Sequence, residues 1–541
     1  MAQQNITVDK DQVDALIQRV EHAIEHGLSI TAEDATLLLQ MLHTLLSFND
    51  HLQDKAVTIG KLRKLAGLVS SSEPGTRDAE GNRKRMGTRR RHNTEGFAKD
   101  TPPIKPRIEK HALLEYSKGQ QCPDCLNGKL YKFEPATFVR ISGQSPLAAT
   151  RHILERLRCN ACGEYFTAPL SEQALQDGAT GQQFGYSARA MMAINKNLTG
   201  VPFFRQQSLQ QLFGTAVSAG AIFEQCQILA NACQPIVQHL ITLAAQGAYF
   251  DLDDTGNRIL AEKGKDLADR RTKKMRHRTG IYTSAVIATL ESERSVLLFK
   301  TNIGHAGEWL DEILAYRAPG TAPPVIMSDA LNRNAPSVIA NYHWSKCNSH
   351  ARREFDTCYG MEHAEWVIER YEAIWRNDSH CAENQMDPQQ RLAYHRSYSL
   401  PVMESIRARC QQCLDSQQIE ANSAMGRACQ YVLNHYDGLS AFCRLPGARL
   451  DNNRVERTIK LVIRARKNSL FFKTQNGADV GDTLISLMAT AIQQEVNVLD
   501  YLIEIQRNEF AVGRNPERWL PWNYQENLTE TVPTEPDLQC A

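Results

Sequence analysis

The chain has 541 residues, enough for three to five structural units at roughly 100–200 residues each. With 42% hydrophobic and 23% charged residues it can bury a sizeable core, which excludes wholesale disorder. Its 62 Lys plus Arg against 61 Asp plus Glu leave a net charge of +1, a sum unlike that of a typical nucleic-acid binder.

No apolar run reaches the roughly 18 residues that span a bilayer, and the polar start Met1 to Lys10 has no signal-peptide core. The expectation is a cytoplasmic protein without membrane contact. Its 14 cysteines are then reduced, and paired ones serve metals before disulfides.

Residues 11–69 read as helix. Leu38, Leu45, Leu52 and Ile59 recur every seven residues, and Met41, Phe48 and Leu62 follow three residues after members of that row, with Lys55 as a polar intruder. Such an a/d seam fits a dimerising coiled coil, or an amphipathic helix on a core. Residues 70–110 read as a linker in which Ser, Gly, Pro and charge replace periodicity. Across 77–110 eleven Lys and Arg face five acids, a balance of +6. Arg83, Lys84, Arg85, Arg89, Arg90 and Arg91 form its densest part, a candidate phosphate-contacting arm.

Residues 111–170 hold Cys122-Pro-Asp-Cys125 and Cys159-Asn-Ala-Cys162. Two Cys-x-x-Cys turns supply four thiolates for a tetrahedral structural zinc site, with short strands expected at Leu130–Phe133 and Phe138–Ile141. Cys410 and Cys413 lack a partner pair and read as packing. Residues 171–246 read as helical, with two short helices about a turn, the second near 218–232, as a candidate DNA-binding helix-turn-helix.

From 247 to 354 the pattern is mixed α/β. Strand-like runs are Ala248–Leu252, Ile281–Leu290, Val296–Lys300 and Val325–Met327; helix-like runs are Ala306–Tyr316 and Ala335–Asn341. Residues 355–445 read as helical, polar and aromatic, with no further strand signal. The 446–512 segment reads as helices over 453–465 and 480–507, and 513–541 as a loose acidic tail.

Strand alternation sets Asp251 and Asp253 on one face and Phe250 and Leu252 on the other. Asp329 ends a second apolar strand, where active sites of α/β sheets gather. Glu456 falls one turn into a helix capped by Asp451 or Asn452, among Arg457, Lys460, Arg464, Arg466 and Lys467. Three carboxylates of this kind can hold two Mg²⁺ or Mn²⁺ ions for phosphoryl transfer.

The stretch from Asp451-Asn-Asn-Arg-Val-Glu456 through Arg466-Lys-Asn-Ser-Leu-Phe-Phe472 to Leu484–Ala491 resembles the C-terminal signature of bacterial insertion sequence 66 family transposases. Cys347-Asn-Ser-His350-Ala-Arg-Arg353 and Asp253-Asp-Thr-Gly256 are similar to two further motifs of that family. The chain departs from the usual pattern at Asp254, where Glu is common, at Asn348, where Trp is common, and at Ala465, where Gly is common.

The resemblance implies a multidomain α+β protein whose RNase H-like core, interrupted by a helical insertion over 355–445, follows a coiled-coil helix and a Cys₄ zinc module. It implies a catalytic triad of Asp253, Asp329 and Glu456, with Cys347, His350, Arg353 and Arg457 supporting it. It implies Mg²⁺- or Mn²⁺-dependent cleavage and strand transfer on double-stranded DNA, at the element's terminal inverted repeats and a target. A homodimer or larger assembly and small accessory proteins of the same element would be partners. Two other readings are an RNase H-like nuclease that cuts without joining, and a non-catalytic DNA-binding regulator.

The net charge hides its distribution. Residues 263–278, which include Lys273 and Lys274, carry +6; residues 449–473, which include Arg464, Arg466 and Lys467, carry +6 again. With the linker, three basic stretches hold +18 and the rest of the chain −17. DNA affinity should therefore fall steeply with salt despite the near-neutral sum. Titrating a DNA duplex at two ionic strengths checks this: a slope near zero contradicts it.

Overall fold

The computed structural model describes residues 16–20, 22–23, 26–27, 29–38, 117–121, 123, 129–131, 144–158, 160, 165–179, 181–268, 274–416 and 419–530. The chain divides into two compact units, Met1–Lys99 and Asp100–Ala541. In the first, residues 16–20 and 32–38 are helical, so the single helix expected over 11–69 is interrupted. Gly27, at φ +64°, takes the left-handed conformation that ends helices. Beyond that turn Arg19 pairs with Asp34 at 2.9 Å. The heptad seam past Leu38 and the basic linker lie outside the described residues.

In the second unit, β1 (Arg156–Arg158) and β2 (Tyr165–Thr167) form an antiparallel ribbon, and Gln121 bridges Lys129. These pairings flank the two Cys-x-x-Cys sequences; Cys122, Cys125, Cys159 and Cys162 themselves lie outside the described residues. Next come α1 (Glu172–Gln176), α2 (Tyr186–Asn197), α3 (Phe203–Leu212) and α4 (Ala219–Ala244). Ser218 caps α4 where the second helix was expected, but the helix runs on to Ala244. Ile222, Cys226, Leu229, Cys233, Ile236 and Leu240 recur at helical spacing and are buried, so most of α4 is core rather than a free recognition helix.

The central sheet is built from β3 (Tyr249–Asn257), then, after a hairpin of β4 (Lys265–Ala268) and β5 (Met275–Arg278), from β6 (Ile281–Thr289) and β7 (Ser295–Asn302). Helix α5 (Ala306–Leu314) leads to β8 (Val325–Ser328) and β9 (His343–Lys346). The order is β7-β6-β3-β8-β9. The first three strands pair antiparallel; β8 and β9 run parallel to β3.

Strand β9 escaped the sequence reading, as did the charged β4–β5 hairpin. The Ala335–Asn341 helix is absent: a 3₁₀ turn at Asn332–Asn334 is followed by irregular chain. Pro336 disfavours helix at the residue before it, and Asp311 captures the Ser337 and Val338 N–H groups at 2.6 and 3.0 Å.

Helices α6 (Asn348–Asp356), α7 (Glu362–Glu383), α8 (Pro388–Tyr398), α9 (Leu400–Asp415) and α10 (Ala424–Leu439) form the helical insertion. They enclose their own core, with Phe355, Tyr371, Ile374, Met403, Ile406 and Val432 buried beside Cys410 and Cys413. Helices α11 (Asn453–Ser469), α12 (Gln475–Gln493), α13 (Val498–Arg507), α14 (Glu509–Arg514) and α15 (Tyr524–Glu530) complete the unit. The helix expected over 480–507 is two, because Asn497 caps α13 by accepting the Leu499 and Asp500 N–H groups. The tail expected to be loose from 513 is packed through 524: Trp519, Leu520 and Tyr524 are buried, and the Tyr501 hydroxyl donates to the Trp519 carbonyl at 2.6 Å.

One face of the sheet buries Phe250, Leu252, Val286, Leu298 and Ile326 with α4, α5, α12 and α13. The other packs Ala285, Ile287, Leu297 and Phe299 on Val455, Ile459 and Val462 of α11. The outer edge of β7 is covered by α12. The N–H groups of Leu297, Phe299 and Thr301 donate to the side chains of Thr490, Ser486 and Asp482 at 3.0, 2.9 and 2.6 Å. Four helical residues rise about 6 Å and two strand residues about 6.8 Å, so a polar residue every fourth position meets every second N–H. An edge that would otherwise invite pairing is closed this way. Ser486→Ala leaves the Phe299 N–H buried without a partner and should cost about 1–3 kcal/mol in denaturant unfolding; an unchanged midpoint would show that the edge is satisfied otherwise.

Candidate active site

The site begins with strand alternation on β3. Phe250 and Leu252 enter the core on one face, so Asp251 and Asp253 turn to the other, toward α11. Asp251 is 2% exposed and lies 3.5 Å from Arg449 and 3.7 Å from Arg454, which makes it a buried structural ion pair. Asp253 is two residues further on. Phe250 and Asp251 stand opposite Ile326 and Met327 of β8, where the pairing ends, and Asp329, just past β8, acts by its charge on Asp253.

Glu456 arrives from the first turn of α11. Asn452 takes the N-cap position, but its side chain does not cap the helix. Its Nδ2 donates to the Leu252 carbonyl at 3.0 Å and its backbone N–H to Cys347 Sγ at 3.3 Å. Asp451 accepts from the Asn453 N–H at 3.0 Å and from Trp375 Nε1 at 2.9 Å. Asn348, buried at the start of α6, donates from Nδ2 to the carbonyls of Leu439 and Leu450 at 2.9 and 3.0 Å. Strand β3, helix α6 and helix α11 are thereby tied at one point.

Among the described residues Asp253, Asp329 and Glu456 do not bring their carboxylate oxygens within 4.8 Å of one another, but their charges act on one another. Burial, together with the charges of Glu456, Asp254 and Asp329, pushes the Asp253 carboxyl up to about 7, against the backbone N–H of Asp254, which favours the ion. For Asp254 burial acts upward too, but the hydrogen bond from His305 at 3.0 Å and the nearby Arg333 outweigh it and hold the carboxyl below its usual range. Asp254 therefore anchors β3 to the N-cap of α5. Asp329 accepts from the Leu331 N–H at 3.1 Å and from Asn334 Nδ2.

Around Glu456, His350 Nδ1 lies 3.8 Å from Oε1 and Arg353 Nη2 3.8 Å from Oε2. Both His350 Nδ1 and Glu456 Oε1 are buried without a hydrogen-bond partner among the described residues. Cys347, His350 and Glu456 offer ligand atoms that all lie within 4.8 Å of one another.

The remaining sequence candidates separate. Arg464 donates to the Leu198 carbonyl and Arg466 Nη1 to Thr255 Oγ1 at 3.1 Å, so both guanidinium groups have partners within the protein. Lys274 and Lys467 are exposed, and Arg457 is partly buried beside Glu456. Arg83, Lys84, Arg85, Arg89, Arg90, Arg91 and Lys273 lie outside the described residues. Sequence reasoning missed Tyr431 of α10, whose phenol is pushed up by burial and then by Cys347 and Asp329, with a hydrogen bond from the Ala330 backbone. It missed His305 and Arg333 as well, since no local pattern links them to Asp254.

The raised Asp253 carboxyl has a thermodynamic sign. Between about pH 4, where an unfolded Asp titrates, and about pH 7 the folded chain keeps a proton the unfolded chain has released. Stability from this group therefore falls as pH rises through that window. Buried Asp482, also raised to about 7 by its burial, acts in the same window. Asp253→Asn should melt higher than wild type at pH 8 in metal-free buffer, by on the order of 1 kcal/mol, with the gap closing toward pH 4. A lower melting temperature at pH 8 would contradict the assigned direction.

Residues 181–480 match the family model described as Transposase IS66 family. Over 186 residues the chain is 28% identical to the uncharacterized protein y4jD of Sinorhizobium fredii (strain NBRC 101917 / NGR234), an alignment covering 33% of this chain and 35% of that one. Over 230 residues it is 21% identical to the uncharacterized protein y4hP of the same organism, covering 38% and 41%. The chain thus spans about a third to two fifths of the length of these curated relatives. The family match covers more than half of the 541 residues and takes in β3, β8, the helical insertion and α11. The chain belongs to the IS66 family of transposases.

Proposed function

We propose that the protein is a DNA transposase that cleaves strands at its element's ends and joins them to target DNA through Asp253, Asp329 and Glu456. The observation that carries this reading is the placement of the three acids: β8 runs parallel to β3 and ends just before Asp329, Asn452 seats the first turn of α11 on Leu252, and the charges of Glu456 and Asp329 act on the Asp253 carboxyl. Evolving chains avoid gathering acids in a half-buried cleft unless cations or protons offset them. The five-stranded sheet, an antiparallel meander with two parallel strands added beside its first strand, supports the RNase H-like reading of the core.

The donor set fits a hard divalent cation. All three ligands are carboxylates, one is protonation-prone without a cation, and Glu456 Oε1 is a buried acceptor without a hydrogen bond. Asp253, Asp329 and Glu456 would hold Mg²⁺ or Mn²⁺, which supplies charge neutralisation at the phosphate and a lowered pKa for the attacking oxygen. Asn452 fixes Glu456 against β3. Arg353, beside Glu456, can balance it and face a phosphate. His305 and Arg333 keep Asp254 ionised and turned away from the other acids.

Binding to the terminal repeats and target would fall to the Arg83–Arg91 arm, the zinc module of Cys122, Cys125, Cys159 and Cys162, and the basic β4–β5 region. The α3–α4 pair offers less for this role, because α4 is largely core. The N-terminal heptads would pair protomers, since two element ends must meet, and small accessory proteins of the same element could join them.

Asp253→Asn, Asp329→Asn and Glu456→Gln should each reduce end cleavage by several orders of magnitude while duplex affinity stays within a few-fold of wild type. Joining of a pre-cut 3′ end to target DNA should fail in the same variants. Cleavage at the wild-type rate in any of them would remove that residue from the triad. A wild type that cuts but never joins pre-cut ends would instead be a nuclease.

A further inference from the structure

The cluster of Cys347, His350 and Glu456 does not resemble the all-carboxylate set beside it. A thiol, an imidazole and a carboxylate prefer Zn²⁺ or Co²⁺ to Mg²⁺. Cys347 and His350 occupy the N-cap and first turn of α6, spaced as Cys-x-x-His, and α11 brings Glu456 to complete three donors within 4.8 Å. Three protein ligands with a fourth position open is the arrangement of an accessible zinc site.

These features indicate a place built for a cation. His350 Nδ1 and Glu456 Oε1 are buried, face each other at 3.8 Å and have no hydrogen-bond partner among the described residues. The Cys347 sulfur is fully buried and receives the backbone N–H groups of Asn452, at 3.3 Å, and of His350, which orient it toward the other two donors. The side chains of His350 and Glu456 are 30% and 25% exposed, so an ion can enter from solvent. Arg353 approaches Oε2 of Glu456 and leaves Oε1 available.

We propose that Cys347, His350 and Glu456 form a second transition-metal site, which takes Zn²⁺ through Cys347 Sγ, a His350 ring nitrogen and Glu456 Oε1. Binding forms one bond to each donor and releases the thiol proton to solvent. The site's consequence rests on the triad reading above: Glu456 would be shared, so a zinc ion here withdraws the third carboxylate from the Asp253–Asp329 pair and inhibits strand cleavage.

The test uses the full-length protein loaded with Co²⁺ or Zn²⁺ in a chelator-buffered dialysis. Metal content and the thiolate-to-cobalt absorption band are read for wild type, Cys347→Ser, His350→Ala and Glu456→Gln. The site predicts that Cys347→Ser and His350→Ala each lose one metal equivalent per chain and part of the band, with circular dichroism unchanged. Glu456→Gln should weaken that same equivalent by tenfold or more. Unchanged metal content in His350→Ala and in Glu456→Gln would overturn the site, as would loss of the whole band on replacing Cys122 and Cys125 alone. If Cys347→Ser does not fold, the other two variants decide. Metal binding is measured without DNA, so a Glu456→Gln protein that still cleaved would refute the triad role and leave this site standing.

Discussion

The structure turns on the buried contact that seats the start of α11 on β3. Asn452 gives its side-chain amide to the Leu252 carbonyl and its backbone N–H to Cys347, joining residues two hundred positions apart in the sequence. A fully buried amide and a fully buried carbonyl have no water to fall back on, so this geometry is held firmly. Everything of chemical interest follows from it. Asp253 is the residue after Leu252, Glu456 lies one helical turn after Asn452, and Cys347 begins the turn that carries His350 and Arg353.

The acids around this point have been sorted by their partners. Asp251 is spent on Arg449 and Arg454, and Asp254 on His305 and Arg333. These pairs settle the strand in its sheet and against α5. Among the described residues Asp253 has no such ion pair, and its burial is offset only by a backbone N–H. Adjacent carboxylates on one strand thus differ in role because of what faces each side of the sheet. The long helical insertion returns the chain from the end of β9 to α11, and through Asn348 and Tyr431 it also contacts the site.

Much of this could be read from residue order. The apolar cores of β3, β6, β7 and β8 are legible because buried strands read as near-continuous apolar runs. The helical character of 355–445 is legible because the stretch carries no strand signal, and Asp451 and Asn452 are recognisable as helix-start residues. The β4–β5 hairpin and β9 were not legible: KDLA, MRHR and HWSK carry no apolar alternation, and register with a neighbour makes them strands. The Ala335–Asn341 stretch failed the other way, since Asp311, distant in sequence, takes the N–H groups a helix would need.

The sequence by itself determined the inventory and its order: three candidate acids, the Cys-x-x-His turn, the paired cysteines and three basic stretches that a net charge of +1 conceals. Local pattern suffices for these, because helix caps, strand alternation and ligand spacing are short-range properties. Tertiary structure alone decided how the charges are used. Arg464 and Arg466, which look like DNA contacts in the sequence, reach Leu198 and Thr255. Glu456, a carboxylate among cations in the sequence, meets Cys347 and His350, with ligand atoms all within 4.8 Å of one another. The physical reason is the same in each case. A charged group's role is set by the few ångströms around it, and those neighbours are supplied by segments one to two hundred residues away.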